Sequence, residues 1–242
     1  MDGLLISFAL GLTAALANIL GGLFIVRGQW GRRNLKYFIA LGSGFMLATV
    51  LLAMVPEGMR RGGESALILV LGGYLLVHFF EHTITAHLHF GEEVHPEEMV
   101  RPQVSYAAAL GLLIHAFFDG AAIASGFIVS PWLGTVIFLA VFLHKLPDGF
   151  TVASVMLASG HGPRKAMAAA VGMGVATLVG VGAMWLLRAE VAYGLLLSAG
   201  VTLYVAASDL IPEVNREPGI AMALWVFVGV GLMFLLRLAF PV

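Results

Sequence analysis

Two short stretches of this 242-residue chain carry side chains suited to holding a divalent cation. The first is His115-x3-Asp119-Gly120, within AALGLLIHAFFDGAAIASGF. The second is His144-Lys145-x2-Asp148-Gly149, within AVFLHKLPDGFTVASVML. The frames agree at five spaced positions. His115, Asp119, Gly120, Ala124 and Ser125 recur as His144, Asp148, Gly149, Ala153 and Ser154. Residues four apart share a helix face, with Cβ atoms roughly 5–6 Å apart, so each His/Asp pair is half of a site. Facing each other, the halves offer two imidazoles and two carboxylates, a four-coordinate shell for Zn²⁺ with bonds near 2.0–2.2 Å. No cysteine is present. A thiolate-free set of this kind also accepts Fe²⁺, Mn²⁺, Co²⁺ or Cd²⁺. A lone His in such a setting is more often a hydrogen-bonding residue, and Asp148 with Lys145 at i, i+3 reads as a structural ion pair. The repetition of the frame is what favours metal binding.

The elements carrying these residues are apolar runs. Hydrophobic residues make up 60% of the chain and charged residues 11%, against about 25% charged in ordinary globular chains. Mean hydropathy is +0.96. Thirteen basic and 14 acidic side chains, net −1, are too few to solvate a soluble enzyme and form no basic patch for nucleic acid. Runs long enough for membrane helices, about 20 residues, fall near 3–26, 36–56, 63–82, 106–128, 132–157, 164–187, 191–211 and 219–240. The expected fold class is an all-α polytopic membrane protein of eight transmembrane helices, one domain over 1–242. Continuous rather than alternating apolarity argues against a β-barrel. The first run lacks a basic leader and is too long for a signal peptide. A connection at 83–105 holds His87, His89, His95 and four Glu. It reads as a solvated acidic loop or, second, as a loose metal sensor.

Charges at the bilayer centre cost at least about 2.5–3.5 kcal/mol each on insertion scales, which marks them as functional or paired. His115, Asp119, His144, Lys145 and Asp148 lie at the middle of the fourth and fifth spans. Copies displaced by one span run in opposite directions through the bilayer, the inverted-repeat pattern of transporters with a site at the repeat interface. Pro56-Glu57 and Pro212-Glu213, closing the second and seventh spans, echo it. Pro147 frees the Leu143 carbonyl, so a helix break is expected beside His144. Gly120 and Gly149 are expected to bring the fourth and fifth helices close together. Loops one, three, five and seven hold eight Lys/Arg and the opposite side four. The positive-inside bias then puts both termini outside the cytoplasm.

These residues resemble the ZIP (Zrt-/Irt-like) family of divalent metal transporters over the whole chain. HAFFDGAAIASG and HKLPDG look like its His-x3-acidic-Gly and His-x-x-Pro-x signatures, with support from LLAMVPEG, FFEH and LYVAASDLIPE. The resemblance implies a ZIP-like inverted-repeat fold and metal passage into the cytoplasm through a midplane site between helices 4 and 5, by alternating access. His115, Asp119, His144 and Asp148 would be the ligands. Helices 1, 4, 5 and 6 would move against 2, 3, 7 and 8. The small residues of the sixth span (Gly172, Gly174, Ala176, Gly180, Gly182) suit a close contact, ordinary packing being the simpler reading. The family's second metal position is altered. Ala116 stands where Asn is frequent, Lys145 where Asp can stand, and residues 166–187 hold no carboxylate. One transport-site metal is therefore expected, with Lys145 as a fixed replacement cation. Glu81, His82, His87, His89 and Glu213 resemble an exit relay, or are plain interfacial ends. Asp209 faces the pathway or a structural partner, and Met46 and Met54 read as core.

The expected partners are the metal ion, as cargo rather than cofactor, and the lipid bilayer. A homodimer is allowed, and nucleic acid is excluded. A bacterial inner membrane is the favoured location. An intramembrane metal-dependent hydrolase is the alternative, but it needs an open coordination position and a general base, and has no use for matched inverted halves. A haem carrier with His115 and His144 as axial ligands leaves Asp119 and Asp148 unexplained.

Overall fold

The computed structural model describes residues 2–27, 32–83 and 102–239. The 84–101 segment, with His87, His89 and His95, lies outside these residues, as does the side chain of His82. No strand occurs among the described residues. Among the same residues, eight helices are long and apolar enough to cross a membrane. Helix α1 is Asp2–Val26. Helix α2 is α-helical over Arg32–Thr49, π-helical over Val50–Met54 and α-helical again over Val55–Gly62. Helix α3 opens with a 3₁₀ turn at Glu64–Leu67 and continues over Ile68–Thr83. Helices α4, α5 and α6 are Pro102–Val129, Pro131–Ala158 and Pro163–Leu186. Helix α7 is α-helical over Val191–Tyr204, π-helical over Val205–Leu210 and α-helical over Ile211–Asn215. Helix α8 is Ile220–Ala239.

Starts and stops follow from the residues. Proline loses nothing in the first helical turn, where its missing N–H would be unpaired anyway, and Pro131 and Pro163 occupy it. Ser130 caps α5, its hydroxyl accepting from the Leu133 N–H at 3.2 Å. Two boundaries differ from the sequence reading. The second span runs to Gly62 rather than 56, and the seventh to Asn215 rather than 211. Pro56 and Pro212 do not end their helices. Each follows a π turn that absorbs the missing hydrogen bond and the ring's clash with the carbonyl four residues back. The Val55 N–H bonds the Val50 carbonyl and the Ile211 N–H bonds that of Ala206. Those positions stand 156 residues apart (206 against 50, 211 against 55), as do Pro212 and Pro56. The freed Leu52 carbonyl accepts from Arg237 Nη1 at 3.0 Å.

Pro147, in contrast, lies inside an uninterrupted helix. The break expected beside His144 is absent, and the departures from α-helix sit in α2 and α7 instead. The expected role of Gly120 and Gly149 is also corrected. They do not join α4 to α5. A side chain at Gly120 would strike the Thr177 carbonyl of α6, and one at Gly149 the Asn18 carbonyl of α1. The reason is angular. Asp119 and Asp148 point at each other, and the next residue in a helix points about 100° away, onto a different neighbour.

Helices α1, α4, α5 and α6 pack as one group, while α2 pairs with α8 and α3 with α7. The pairings repeat in both halves at backbone range. Gly44 meets the Val226 carbonyl and Gly229 that of Leu41; Gly200 meets Val70 and Gly73 meets Leu197 in the same way. Counterparts again stand 156 residues apart: Gly200 repeats Gly44, Val226 repeats Val70, Gly229 repeats Gly73 and Leu197 repeats Leu41. The sixth-span glycines divide: Gly174 faces Ala15 of α1 and Gly180 the Phe117 carbonyl of α4. Large apolar side chains on the outside of α3 and α8, such as Phe79, Phe227 and Leu235, are exposed, as a lipid solvent requires.

Candidate metal site

The fourth and fifth helices meet with their His/Asp faces opposed. Because His115 and Asp119 are one turn apart on α4, and His144 and Asp148 one turn apart on α5, four donor atoms converge. All lie within 4.8 Å of one another and all four residues are buried. His115 Nε2 is 3.0 Å from Asp119 Oδ2, 3.3 Å from His144 Nε2 and 3.6 Å from Asp148 Oδ2. His144 Nε2 is 3.3 Å from Asp119 Oδ2 and 3.7 Å from Asp148 Oδ2. A tetrahedral ion with bonds of about 2.1 Å has ligand–ligand edges of about 3.4 Å. Five of the six edges thus fall at 3.0–3.7 Å. The remaining edge joins the two carboxylates, which repel when no metal lies between them.

Orientation is built in as well. His144 Nδ1 donates to the Ala140 carbonyl at 2.8 Å. That bond fixes the tautomer and leaves Nε2 with the lone pair a metal needs. His115 Nδ1 and Asp119 Oδ1 are buried with no hydrogen-bond partner among the described residues, a cost that a bound ion or water would relieve. Lys145 is fully buried beside the cluster. Its ammonium donates to Asp119 Oδ2 and reaches Asp148 Oδ2 at 3.4 Å. The two carboxylates are therefore held by a cation that belongs to the chain. Ala116 is buried in apolar packing with Val152, Ala153 and Met173, so it offers no donor for a second ion.

On one side of the site the helices close completely. Ile123 and Phe127 of α4, Leu133 and Ile137 of α5, Met54 of α2 and Leu195 of α7 belong to one buried apolar cluster. This plug lies toward the face where α1 starts and α2 and α8 end, the terminal face. Met46 and Met54 are core residues, as read. Toward the opposite face the lining is polar. Asp209 is buried in the π turn of α7, within electrostatic reach of His115, Asp148 and Glu81. The Tyr204 hydroxyl donates to Glu81 Oε2 at 2.8 Å. Tyr74 and Ser208 share a hydrogen bond of 2.8 Å. Glu213 is exposed and lies 3.6 Å from Arg216. Tyr74 and Tyr204 escaped the sequence reading because an aromatic residue in an apolar run carries no signal of its own. The LYVAASD segment, with Tyr204 one turn before Ser208 and Asp209, was the available clue.

Comparison with known proteins gives the lineage. The family model described as "ZIP Zinc transporter" matches residues 91–237. The chain is 24% identical to "Zinc transporter ZIP9-B" of Xenopus laevis across 80% of each chain. It is 33% identical to "Zinc transporter ZIP4" of Homo sapiens over 46% of this chain and 18% of that one. A third relative is "Zinc transporter ZIP10" of Homo sapiens, 28% identical over 64% of this chain and 20% of its own. These relatives are named as transporters rather than enzymes. The chain belongs to the ZIP family, a multi-pass membrane protein of the metal-transporting kind.

Proposed function

We propose that the protein carries Zn²⁺ toward the cytoplasm, one ion at a time, with His115, Asp119, His144 and Asp148 as its ligands. The observation carrying this reading is the near-tetrahedral spacing of four buried donors contributed equally by two repeated half-sites. Lys145 fills the electrostatic place of a second metal. The ammonium that holds Asp119 and Asp148 is displaced when the ion arrives and returns when it leaves, so the empty carrier never buries two bare carboxylates.

Both termini lie outside the cytoplasm in this reading. The buried plug then closes the outer side, and Asp209, Glu81 and Tyr204 lead inward. Glu81, His82, His87, His89 and Glu213 receive the ion after release. The grouping of α1, α4, α5 and α6 against the α2–α8 and α3–α7 pairs supports alternating access by relative movement of the two blocks. Zinc-65 uptake by proteoliposomes is the test. Removing a ligand should cost no less than the roughly 10–100-fold typical of removing a group behind one. Undiminished uptake with His115→Ala, Asp119→Ala, His144→Ala or Asp148→Ala would sink the assignment. Competition by Fe²⁺, Mn²⁺, Co²⁺ and Cd²⁺ in the same assay ranks the cargo.

A further inference from the structure

A cavity lies at the terminal face, on the far side of the apolar plug from the His/Asp cluster. It encloses about 410 Å³ between the ends of α2 and α8 and the α4–α5 turn. Its floor and walls are apolar, including Leu52, Val129 and Leu133, and one wall is formed by Phe234 and Leu238 of α8. Those two side chains are exposed on the outer surface of the bundle, so the cavity opens sideways into the bilayer. Its rim carries Arg60, Arg61 and Arg237 against the single carboxylate Glu57. Three cations and one anion leave a formal +2.

Glu57 is already engaged by both neighbours, at 2.7 Å to Arg60 and 2.5 Å to Arg61. Arg237 uses one donor on the Leu52 carbonyl, and a guanidinium has five. Trp132 also lines the cavity. The charged donors at this rim are guanidinium N–H groups, and Arg60 and Arg61 already share the single carboxylate. A metal cation has no reason to stay there. An anion joined to an apolar chain has two.

From this geometry we infer that the cavity binds the headgroup phosphate of an anionic phospholipid, with an acyl chain lying along Phe234 and Leu238. Arg237 and Arg61 hold the phosphate by charge-assisted hydrogen bonds. The occupant fills the seam between the α2–α8 pair and the α4–α5 turn, directly over the plug. The inference does not depend on the identity of the transported ion.

Native mass spectrometry of the purified full chain tests it, with phosphatidylglycerol, phosphatidylcholine and inorganic phosphate as separate probes. One phosphatidylglycerol should be retained in preference to phosphatidylcholine. Arg237→Gln should weaken that binding roughly tenfold, the worth of one charge-assisted contact. Arg61→Gln should also weaken phosphatidylglycerol binding, even if the Arg237 variant proves unstable. Arg188→Gln, at the α6–α7 connection, should leave it unchanged. Equal retention of the two lipids would overturn the inference, as would an equal loss with Arg188→Gln. Binding of inorganic phosphate without phosphatidylglycerol would overturn it in favour of a soluble anion.

Discussion

Replacing Lys145 by methionine separates a resident cation from a merely structural one. The substitution keeps most of the stem and deletes one charge. In the native protein the ammonium lies 3.4 Å from Asp148 Oδ2 and closer still to Asp119, with the side chain fully buried. At an effective dielectric of 20, a unit pair at 3.4 Å is worth about 5 kcal/mol. Breaking buried pairs by removing one partner costs about 3–5 kcal/mol. The metal-free variant should therefore lose about 3 kcal/mol or more. The metal-loaded variant should lose little, because the ion takes over both carboxylates and no longer meets the ammonium's repulsion. The thermodynamic cycle turns that difference into affinity. At about 1.4 kcal/mol per tenfold, 3 kcal/mol is roughly a hundredfold tighter zinc binding. Thermal melts in detergent, with chelator and then with zinc, give the two stabilities, and calorimetric titration gives the affinity. Uptake into vesicles should slow as release becomes limiting. An unchanged zinc affinity, or a native protein that already binds two zinc ions at the midplane, would refute the reasoning.

Anomalous scattering from crystals soaked in Zn²⁺ or Cd²⁺ should show one midplane ion; two ions under about 5 Å apart would contradict the role given to Lys145, given that paired catalytic metals sit about 3.5–4 Å apart. Gly120→Ala and Gly149→Ala should each destabilise the protein by about 1–3 kcal/mol through overpacking against α6 and α1, whereas Gly111→Ala, with open space around it, should be neutral; equal melting temperatures for all three would be the wrong outcome. Glu81→Gln and Asp209→Asn should slow zinc uptake while leaving equilibrium zinc binding at the His/Asp cluster within about threefold, less than a half-kilocalorie effect per twofold; a parallel loss of binding and uptake would remove them from the exit path. Tyr204→Phe, which deletes the donor to Glu81, should reproduce part of the Glu81→Gln effect in the same uptake assay.

Much of the site was legible because the bilayer makes polar residues conspicuous. Charged side chains are scarce in this chain, and His115, Asp119, His144 and Asp148 combine mid-span depth with one repeated spacing. The number of helices was legible for the same reason, since about 20 apolar residues in a row have few other uses. What escaped depends on partners distant in sequence. Gly120 and Gly149 were assigned to the wrong neighbours because sequence shows that a glycine permits close approach, without saying which helix approaches. Pro56 and Pro212 looked like endings, but the π turn before each carries the helix on, and the continuations pack on distant elements, Val55–Gly62 on α7 and Ile211–Asn215 on α2. Pro147 looked like a break, yet α5 continues through it while packed on α1, α2 and α4. The Tyr204–Glu81 bond spans 123 residues, beyond any local pattern.

The paired π turns also change how α2 and α7 should be aligned and edited. A π turn accommodates one residue more than the α-helix around it, and a residue is about 100° of rotation. The stretch before Val50 and the stretch after Met54 therefore read their faces in two different phases. A periodicity measured across the whole of α2 or α7 averages two clocks and blurs both. Deleting a single residue from Val50–Met54 would be a small loss of length but a large change of heading. Glu57, Arg60 and Arg61 would swing together to a new azimuth, away from Arg237 and the Leu52 carbonyl, while Gly44 stayed seated on Val226. Only a matching deletion in Val205–Leu210 would bring the two halves back into phase with each other.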